Sequence, residues 1–271
     1  MTDRYAVVGN PVAHSRSPFI HTEFARQTGQ DIKYERMLAP LDGFRATIEN
    51  FRAAGGKGVN ITLPFKLEAF ALAQERSERA SDAQVVNTLK FDASILYGDN
   101  TDGVGLLRDI ENNLRFPVQG RSVLLMGAGG AAQGVIGPLL AARAERLVIA
   151  NRTVAKAQRL AAQFASRGMV SASGYAGLIG QEFDLVINAT AASLNDAVPE
   201  LPDGTFAHDA LAYDMMYGMS SLPFLEAART RGASRTADGL GMLVEQAAES
   251  FFIWRGVRPQ TRPVIAALQA Q

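Results

Sequence analysis

The chain has 271 residues, 47% of them hydrophobic, with Lys plus Arg equal to Asp plus Glu at 27 each. That length supports one large or two modest domains with a sizeable core, and the balanced charge removes any global field for nucleic acid or an anionic membrane. Cysteine is absent, which excludes disulfides, thiolate metal ligands and a thiol nucleophile. No apolar run approaches the ~18 residues of a membrane span. Thr2-Asp3-Arg4 leads straight into a strand-like run with no signal-peptide pattern, so a cytoplasmic location is expected.

In chain order, strand-like runs fall at 5–9, 32–38, 58–61, 84–91 and 94–97, alternating with helical patterns at 18–28, 41–54, 66–74 and 103–114. After Arg115-Phe116-Pro117 a second series begins, with strands at 122–126, 147–150, 169–171, 185–188 and 210–214 and helices at 131–143, 154–166 and 221–230. Helices at 240–254 and 262–270 close the chain, with Trp254 read as core. The alternation predicts an α/β protein with mostly parallel sheets. The helix near residue 104 predicts two lobes joined by rigid connections, with a cleft between them.

Three segments of the first series carry polar groups suited to chemistry. Gly9-Asn10-Pro11 leaves a strand, and Ser15-Arg16-Ser17-Pro18 enters a helix. Pro18 suits the first helical position and Ser17 the N-cap. Free N–H groups and two hydroxyls there make either a carboxylate seat or an ordinary cap. In Asn60-Ile61-Thr62-Leu63-Pro64-Phe65-Lys66, alternate residues Asn60 and Thr62 share a face of a strand end. Lys66 falls at the next helix start, where the dipole and burial both favour the neutral amine, the route by which a lysine becomes an acid–base group; the alternative is a surface lysine. Asn87 lies in a strand-like run and needs a partner. Asp102, just before a helix, is either an N-cap or a carboxylate facing the cleft.

The second series opens on Ser122–Met126 followed by Gly127-Ala128-Gly129-Gly130-Ala131-Ala132, a helix, and a second apolar strand. Gly127, Gly129 and Ala132 fit the dinucleotide pattern of strand, tight turn and helix, whose N-terminal N–H groups face a pyrophosphate. The acid that would hold a ribose 2′-OH is expected ~20 residues on. Here Asn151-Arg152-Thr153 stands at that point, 24 positions after Gly127, and Lys156 follows. Arg152 offers a planar fork to a 2′-phosphate, so the expected cofactor is NADP rather than NAD. His14, His21 and His208 lack metal-ligand spacing and read as local hydrogen-bonding residues, and no metal is expected. Met215, Met216 and Met219 read as cleft lining or core.

Taken together and in this order, these segments resemble the shikimate dehydrogenase family. The resemblance runs the length of the chain: Ser15 to Pro18, Asn60 to Lys66, Asn100-Thr101-Asp102-Gly103, the glycine turn, Asn151 to Thr153, Asn188-Ala189-Thr190, and Asp238 to Leu243 with Gln246. It implies an N-terminal, mostly parallel α/β substrate domain (1–103 plus 240–271) and a Rossmann-type NADP domain (104–239). It implies NADP-dependent, reversible conversion of 3-dehydroshikimate to shikimate, in chorismate biosynthesis, with Lys66 and Asp102 as the catalytic pair. It further implies substrate binding by Ser15, Ser17, Asn60, Thr62, Asn87, Gln246 and Tyr217. Cofactor binding would fall to Gly127, Ala128, Gly129, Gly130, Ala131, Asn151, Arg152, Thr153, Lys156, Thr190, Met215, Gly239 and Met242. The implied partners are a small-molecule substrate and, at most, a second copy of the chain, as a monomer or homodimer.

Two stretches depart from the family pattern. Ala191-Ala192-Ser193 stands where Ser then Gly is common, and the common Thr before Pro223 is missing. Both touch cofactor-loop detail rather than the reaction. The competing enzyme readings are a quinate/shikimate dehydrogenase with relaxed substrate or cofactor use and an aminoshikimate dehydrogenase. A folate dehydrogenase would give no reason for Ser15, Ser17 and the Asn60–Lys66 segment together. A non-catalytic NADP-binding regulatory module would have no need of Lys66 and Asp102.

Overall fold

A computed structural model describes residues 2–92, 95–190 and 201–271. The chain divides into two compact units, Met1–Gly105 with Val244–Gln271, and Leu106–Leu243. Among the described residues, no helix is long and apolar enough to cross a membrane.

The first unit contains β1 (Asp3–Gly9), α1 (Ser17–Thr28), β2 (Ile32–Leu38), α2 (Phe44–Ala53), β3 (Gly56–Ile61), α3 (Lys66–Leu72), β4 (Glu75–Arg76), α4 (Glu78–Ala83), β5 (Thr88–Phe91) and β6 (Leu96–Asp99). Its sheet has the order β2-β1-β3-β5-β6-β4. β5 runs antiparallel to β3 and β6, while the remaining described pairings are parallel. β1 shows why the sheet is covered on both faces. Its alternate residues Ala6 and Val8 pack with Phe44, Ile48 and Phe51 of α2, whereas Tyr5 and Val7 pack with Val12, Tyr34 and Trp254, as the strand's period of two requires. α2 has no side-chain N-cap. Three buried apolar side chains at about 1.5–3 kcal/mol each outweigh a missing cap worth about 1 kcal/mol.

The second unit contains β7 (Ser122–Met126), α6 (Gly130–Ala141), β8 (Arg146–Ala150), α7 (Val154–Phe164), β9 (Val170–Ser173), β10 (Phe183–Asn188), β11 (Phe206–Asp214), α8 (Leu222–Thr230) and β12 (Arg235–Ala237). All described pairings are parallel, in the order β12-β11-β10-β7-β8-β9. Counted from β7, this is the 3-2-1-4-5-6 order of a Rossmann sheet, with its switch point between β7 and β10. β7 alternates Val123 and Leu125 toward the α6 and α7 side with Leu124 and Met126 toward Phe224 and Leu225 of α8. In sequence, the division between the units falls within α5 (Asp102–Arg108) and α9 (Leu240–Arg255); α10 (Arg262–Gln269) belongs to the first unit.

Several boundaries differ from the sequence expectation. The helix expected over 41–54 starts at Phe44, because Gly43 N–H donates to Pro40 O (3.0 Å) and closes a turn first. The strand expected over 84–91 shrinks to β5. Ser77 Oγ accepts from Ala80 N (3.1 Å) and caps α4, which ends at Gln84 with φ 51°. Val85 and Val86 are fully buried in the connection, so their β-branched character reflects core packing rather than a ladder. The helix expected over 103–114 is α5 followed by a π-helical turn, Asp109–Asn113. β12 has three residues, too few to show a period. Ser94, expected to start a strand, and Ala191-Ala192-Ser193 lie outside the described residues.

Candidate active site

Lys66 and Asp102 meet in the first unit. Lys66 is the first residue of α3 and Asp102 the first of α5. Lys66 Nζ donates to Asp102 Oδ2 across 2.5 Å, with side-chain exposures of 15% and 8%. Asp102 Oδ1 accepts from Asn87 Nδ2 at 2.8 Å. Asn100 Oδ1 accepts from Asp102 N (3.0 Å), and Asn100 N–H donates to Asp99 Oδ1 (2.7 Å). Asp99 is held by both Nε and Nη2 of Arg79, at 2.7 and 2.8 Å, and Arg79 also reaches Glu249 of α9. A part-buried ion network therefore anchors the turn that delivers Asp102.

The same unit gathers most of the expected substrate-binding side chains. Asn87 is buried just before β5 and donates to Thr101 Oγ1 (2.9 Å) as well as to Asp102. Gln246 Oε1 lies 3.3 Å from Thr101 Oγ1. It is brought there because Gly105 has no side chain: a Cβ would lie 2.7 Å from Gln246 N. Asn60 is 6% exposed. Its Oδ1 accepts from Tyr34 Oη (2.8 Å), and its Nδ2 faces Ser250 Oγ (2.9 Å) and Thr88 Oγ1 (3.1 Å). The protein thus occupies most of that amide's capacity. Thr62, one residue past β3, is half-buried. Tyr217 lies in the second unit, before a short 3₁₀ turn.

Ser15 and Ser17 differ from the expected cap. α1 begins at Ser17 itself, Arg16 occupies the cap with φ −84° and ψ −6°, and there is no side-chain cap bond. Instead Ser15 Oγ accepts from Ser17 N (3.3 Å) and donates to Ser17 Oγ (3.1 Å). Arg36 clamps the loop, donating from Nε and Nη2 to Ser15 O at 2.9 and 2.6 Å. The two hydroxyls therefore lie together at the start of α1, the end of a helix that suits an anion.

His21 corrects another expectation. It is fully buried, and neither ring nitrogen has a hydrogen-bond partner. The ring stacks on Tyr34 (4.2 Å, 5°) and leans on Phe24, Phe251 and Trp254. Burial pushes its pKa down to about 3, with the nearby Asn60 amide opposing only in part. His208 is exposed beside Asp209, 3.1 Å away. Met219, expected as lining or core, is 80% exposed.

In the second unit the glycine turn lies at the switch point. Gly127 has φ +108°, and a Cβ on it would lie 3.0 Å from Ala189 O, so only glycine lets the ends of β7 and β10 approach. A Cβ on Gly129 would meet nothing within 4 Å, which leaves open space before α6. That helix has no side-chain cap and no acidic residue in its first turn. Ala128 and Ala131 are half-buried, and Ala132 is fully buried against the core. After β8, Asn151 Nδ2 donates to Thr153 O (2.9 Å) and shapes the turn on which Arg152, Thr153 and Lys156 are exposed. An uncapped helix start, an open approach and a basic turn without carboxylates fit a dinucleotide bearing a 2′-phosphate.

Two residues to which the sequence reading gave no role organise the neighbouring loops. Asn188 and Asp214 are fully buried at the ends of β10 and β11 and joined at 2.9 Å. Asn188 Oδ1 accepts from Thr190 Oγ1 (2.7 Å), and Asp214 Oδ1 accepts from Met216 N (2.8 Å). The signal of the pair was a polar residue closing an apolar parallel strand. Gly239 packs on Met215 O, where a Cβ would lie 2.3 Å away. Met242 is buried in the core of the unit. Ser250 and Thr88 were also missed. Ser250 stands four residues after Gln246, on the same helix face.

The fold class defined here is a two-unit α/β protein whose second unit is a Rossmann-type sheet with a nucleotide turn at its switch point. Three family models match: "Shikimate dehydrogenase substrate binding domain" over residues 7–89, "Shikimate / quinate 5-dehydrogenase" over 110–197 and "Shikimate 5'-dehydrogenase C-terminal domain" over 239–269. A shikimate dehydrogenase (NADP(+)) of Aromatoleum aromaticum is 61% identical over 99% of this chain and 98% of its own length. The crystal structure of an Ael1 enzyme from Pseudomonas putida is 52% identical over 98% of both chains, with a TM-score of 0.92. Shikimate 5-dehydrogenase from Thermus thermophilus, solved with NADP(H) and shikimate, is 30% identical over 99% of both chains, with a TM-score of 0.86. The chain belongs to the shikimate dehydrogenase family.

Proposed function

We propose that the chain is an NADP-dependent shikimate dehydrogenase that interconverts 3-dehydroshikimate and shikimate. The single observation that carries this reading is the part-buried Lys66–Asp102 pair, 2.5 Å apart, beside a set of amides and hydroxyls suited to a polyhydroxylated ring. A cofactor held at the glycine turn and the Arg152 turn would supply the hydride chemistry, as NADP+ for oxidation of the carbinol carbon and as NADPH for reduction of the ketone carbon. In the oxidative direction Lys66 takes the hydroxyl proton as the hydride leaves; in reduction it returns that proton to the alkoxide oxygen. Asp102 holds the lysine amine in place and accepts from the same substrate hydroxyl. Ser15 and Ser17 take the ring carboxylate, and Thr62, Asn87 and Gln246 the remaining hydroxyls. Of the other expected ligands, Asn60 is assigned a supporting part and Tyr217 a contact with substrate.

Residues 1–103 with 240–271 form the substrate-binding part of the proposal, and 104–239 the NADP-binding part. Gly127 to Ala131 and the start of α6 take the pyrophosphate. Arg152, Thr153 and Lys156 take the 2′-phosphate, with Asn151 shaping their turn. Thr190, Met215, Gly239 and Met242 are assigned to the nicotinamide end. The enzyme works in the cytoplasm as a monomer or homodimer. A second reading, additional activity on quinate, is favoured by the description of the family model over residues 110–197.

Lys66→Ala tests the central assignment. It is expected to lower kcat by about 10²–10⁴-fold, the usual weight of a general acid–base group, while shikimate affinity by calorimetry stays within about tenfold. Retained turnover removes Lys66 from the mechanism.

A further inference from the structure

The buried polar groups around Asn60 and Asn87 form a hydrogen-bond chain whose direction is set by groups that can act in only one sense. Thr101 N–H can only donate, and it lies 2.9 Å from Asn87 Oδ1. This assigns the carboxamide: its oxygen faces Thr101, so its nitrogen faces Asp102 Oδ1 at 2.8 Å. The flipped amide would set oxygen against carboxylate and N–H against N–H. The Thr88 hydroxyl, 2.9 Å from the same amide oxygen, must therefore donate to it. Thr88 Oγ1 can then only accept, and Ser250 Oγ stands 2.8 Å away as the donor, sharing its hydrogen with Gln246 O at 3.1 Å. Ser250 Oγ accepts from Asn60 Nδ2 at 2.9 Å, and Asn60 Oδ1 accepts from Tyr34 Oη at 2.8 Å. From Tyr34 to Asp102 every proton points the same way. Tyr34, Thr88 and Ser250 are 8%, 0% and 0% exposed, so water does not compete for these bonds.

We infer, on the reading of Lys66 and Asp102 as the reacting pair, that Tyr34, Thr88 and Ser250 are positioning residues: they hold the Asn87 amide so that Asp102 meets N–H donors on both oxygens. The exchanged proton then stays on Lys66. A proton on Asp102 Oδ1 would oppose the Asn87 NH₂, and one on Oδ2 would face the lone pair of the neutral Lys66 amine and return to it, an amine being the stronger base. The amide cannot turn to accommodate it while Thr101 N–H and the Thr88 hydroxyl hold its oxygen. Asp102 thus serves as a fixed acceptor that aims the lysine rather than as a carrier of the proton.

Thr88→Val removes one hydroxyl from the middle of the chain at nearly constant shape, and Thr88→Ser restores it. For Thr88→Val, kcat is expected to fall about tenfold or more, in line with the sensitivity of catalysis to small misplacements, while the shikimate dissociation constant moves less than about threefold. Thr88→Ser recovers most of the lost rate. Ser250→Ala changes kcat in the same direction as Thr88→Val. Acetylation of Lys66 by acetic anhydride, followed by peptide mapping, is expected to quicken about threefold or more in Thr88→Val and not in Thr88→Ser, because the amine loses its fixed partner. Unchanged kcat, or equal losses of kcat and affinity that Thr88→Ser does not recover, overturns the inference. If the wild-type protein does not oxidise shikimate, the dehydrogenase reading falls, and the labelling still decides this one: unchanged Lys66 reactivity overturns it.

Discussion

The side chains around Lys66 and Asp102 are hydrogen-bonded to one another, whereas His21, further back in the same unit, is not. It sits in an aromatic cage against Tyr34 with no partner for either nitrogen, and burial holds its pKa near 3 against an ordinary 6.5. As pH falls below 6.5 the unfolded chain binds a proton that the native state refuses, so stability is lost progressively from there toward pH 3. Between pH 7 and pH 5 this costs about 2 kcal/mol, at a limiting slope of about 1.4 kcal/mol per pH unit. His21→Phe keeps an aromatic ring and removes the titration. Its urea midpoint is expected to fall less than that of the wild type between pH 7 and pH 5; equal falls would contradict this origin of acid sensitivity.

At the scale of elements, β7, the glycine turn and α6 were readable because each has its own signature: an apolar run from Val123 to Met126, the spacing of Gly127, Gly129 and Ala132, and a helical stretch after it. The Ser15–Ser17 segment was read in the right place, but its cap was not, since a helix starting one residue earlier leaves the composition unchanged. Val85 and Val86 misled for a physical reason: β-branched residues buried in a connection look like strand residues. The turn after β8 carries the cofactor choice. Arg152→Ala removes a charge-assisted phosphate contact worth about 1.5–3 kcal/mol. The Michaelis constant for NADP is therefore expected to rise roughly 10- to 150-fold, at a factor of ten per 1.4 kcal/mol. That for NAD should change little, and equal effects on both would sink the 2′-phosphate assignment.

At the scale of the molecule, the alternation of strands and helices made the α/β class legible, and the ordered motifs from Ser15 to Gln246 made the family legible. What stayed hidden were long-range partners: Tyr34, Thr88 and Ser250 come together by packing within the first unit, Asn188 and Asp214 by strand pairing within the second, and no local period marks either set. The most direct measurement is a steady-state comparison of shikimate and quinate, each with NADP and with NAD. Shikimate with NADP is expected to give the highest kcat/KM, above NAD by roughly tenfold or more if Arg152 supplies the phosphate contact estimated above. No oxidation of shikimate with NADP, or a preference for NAD, would contradict the assignment.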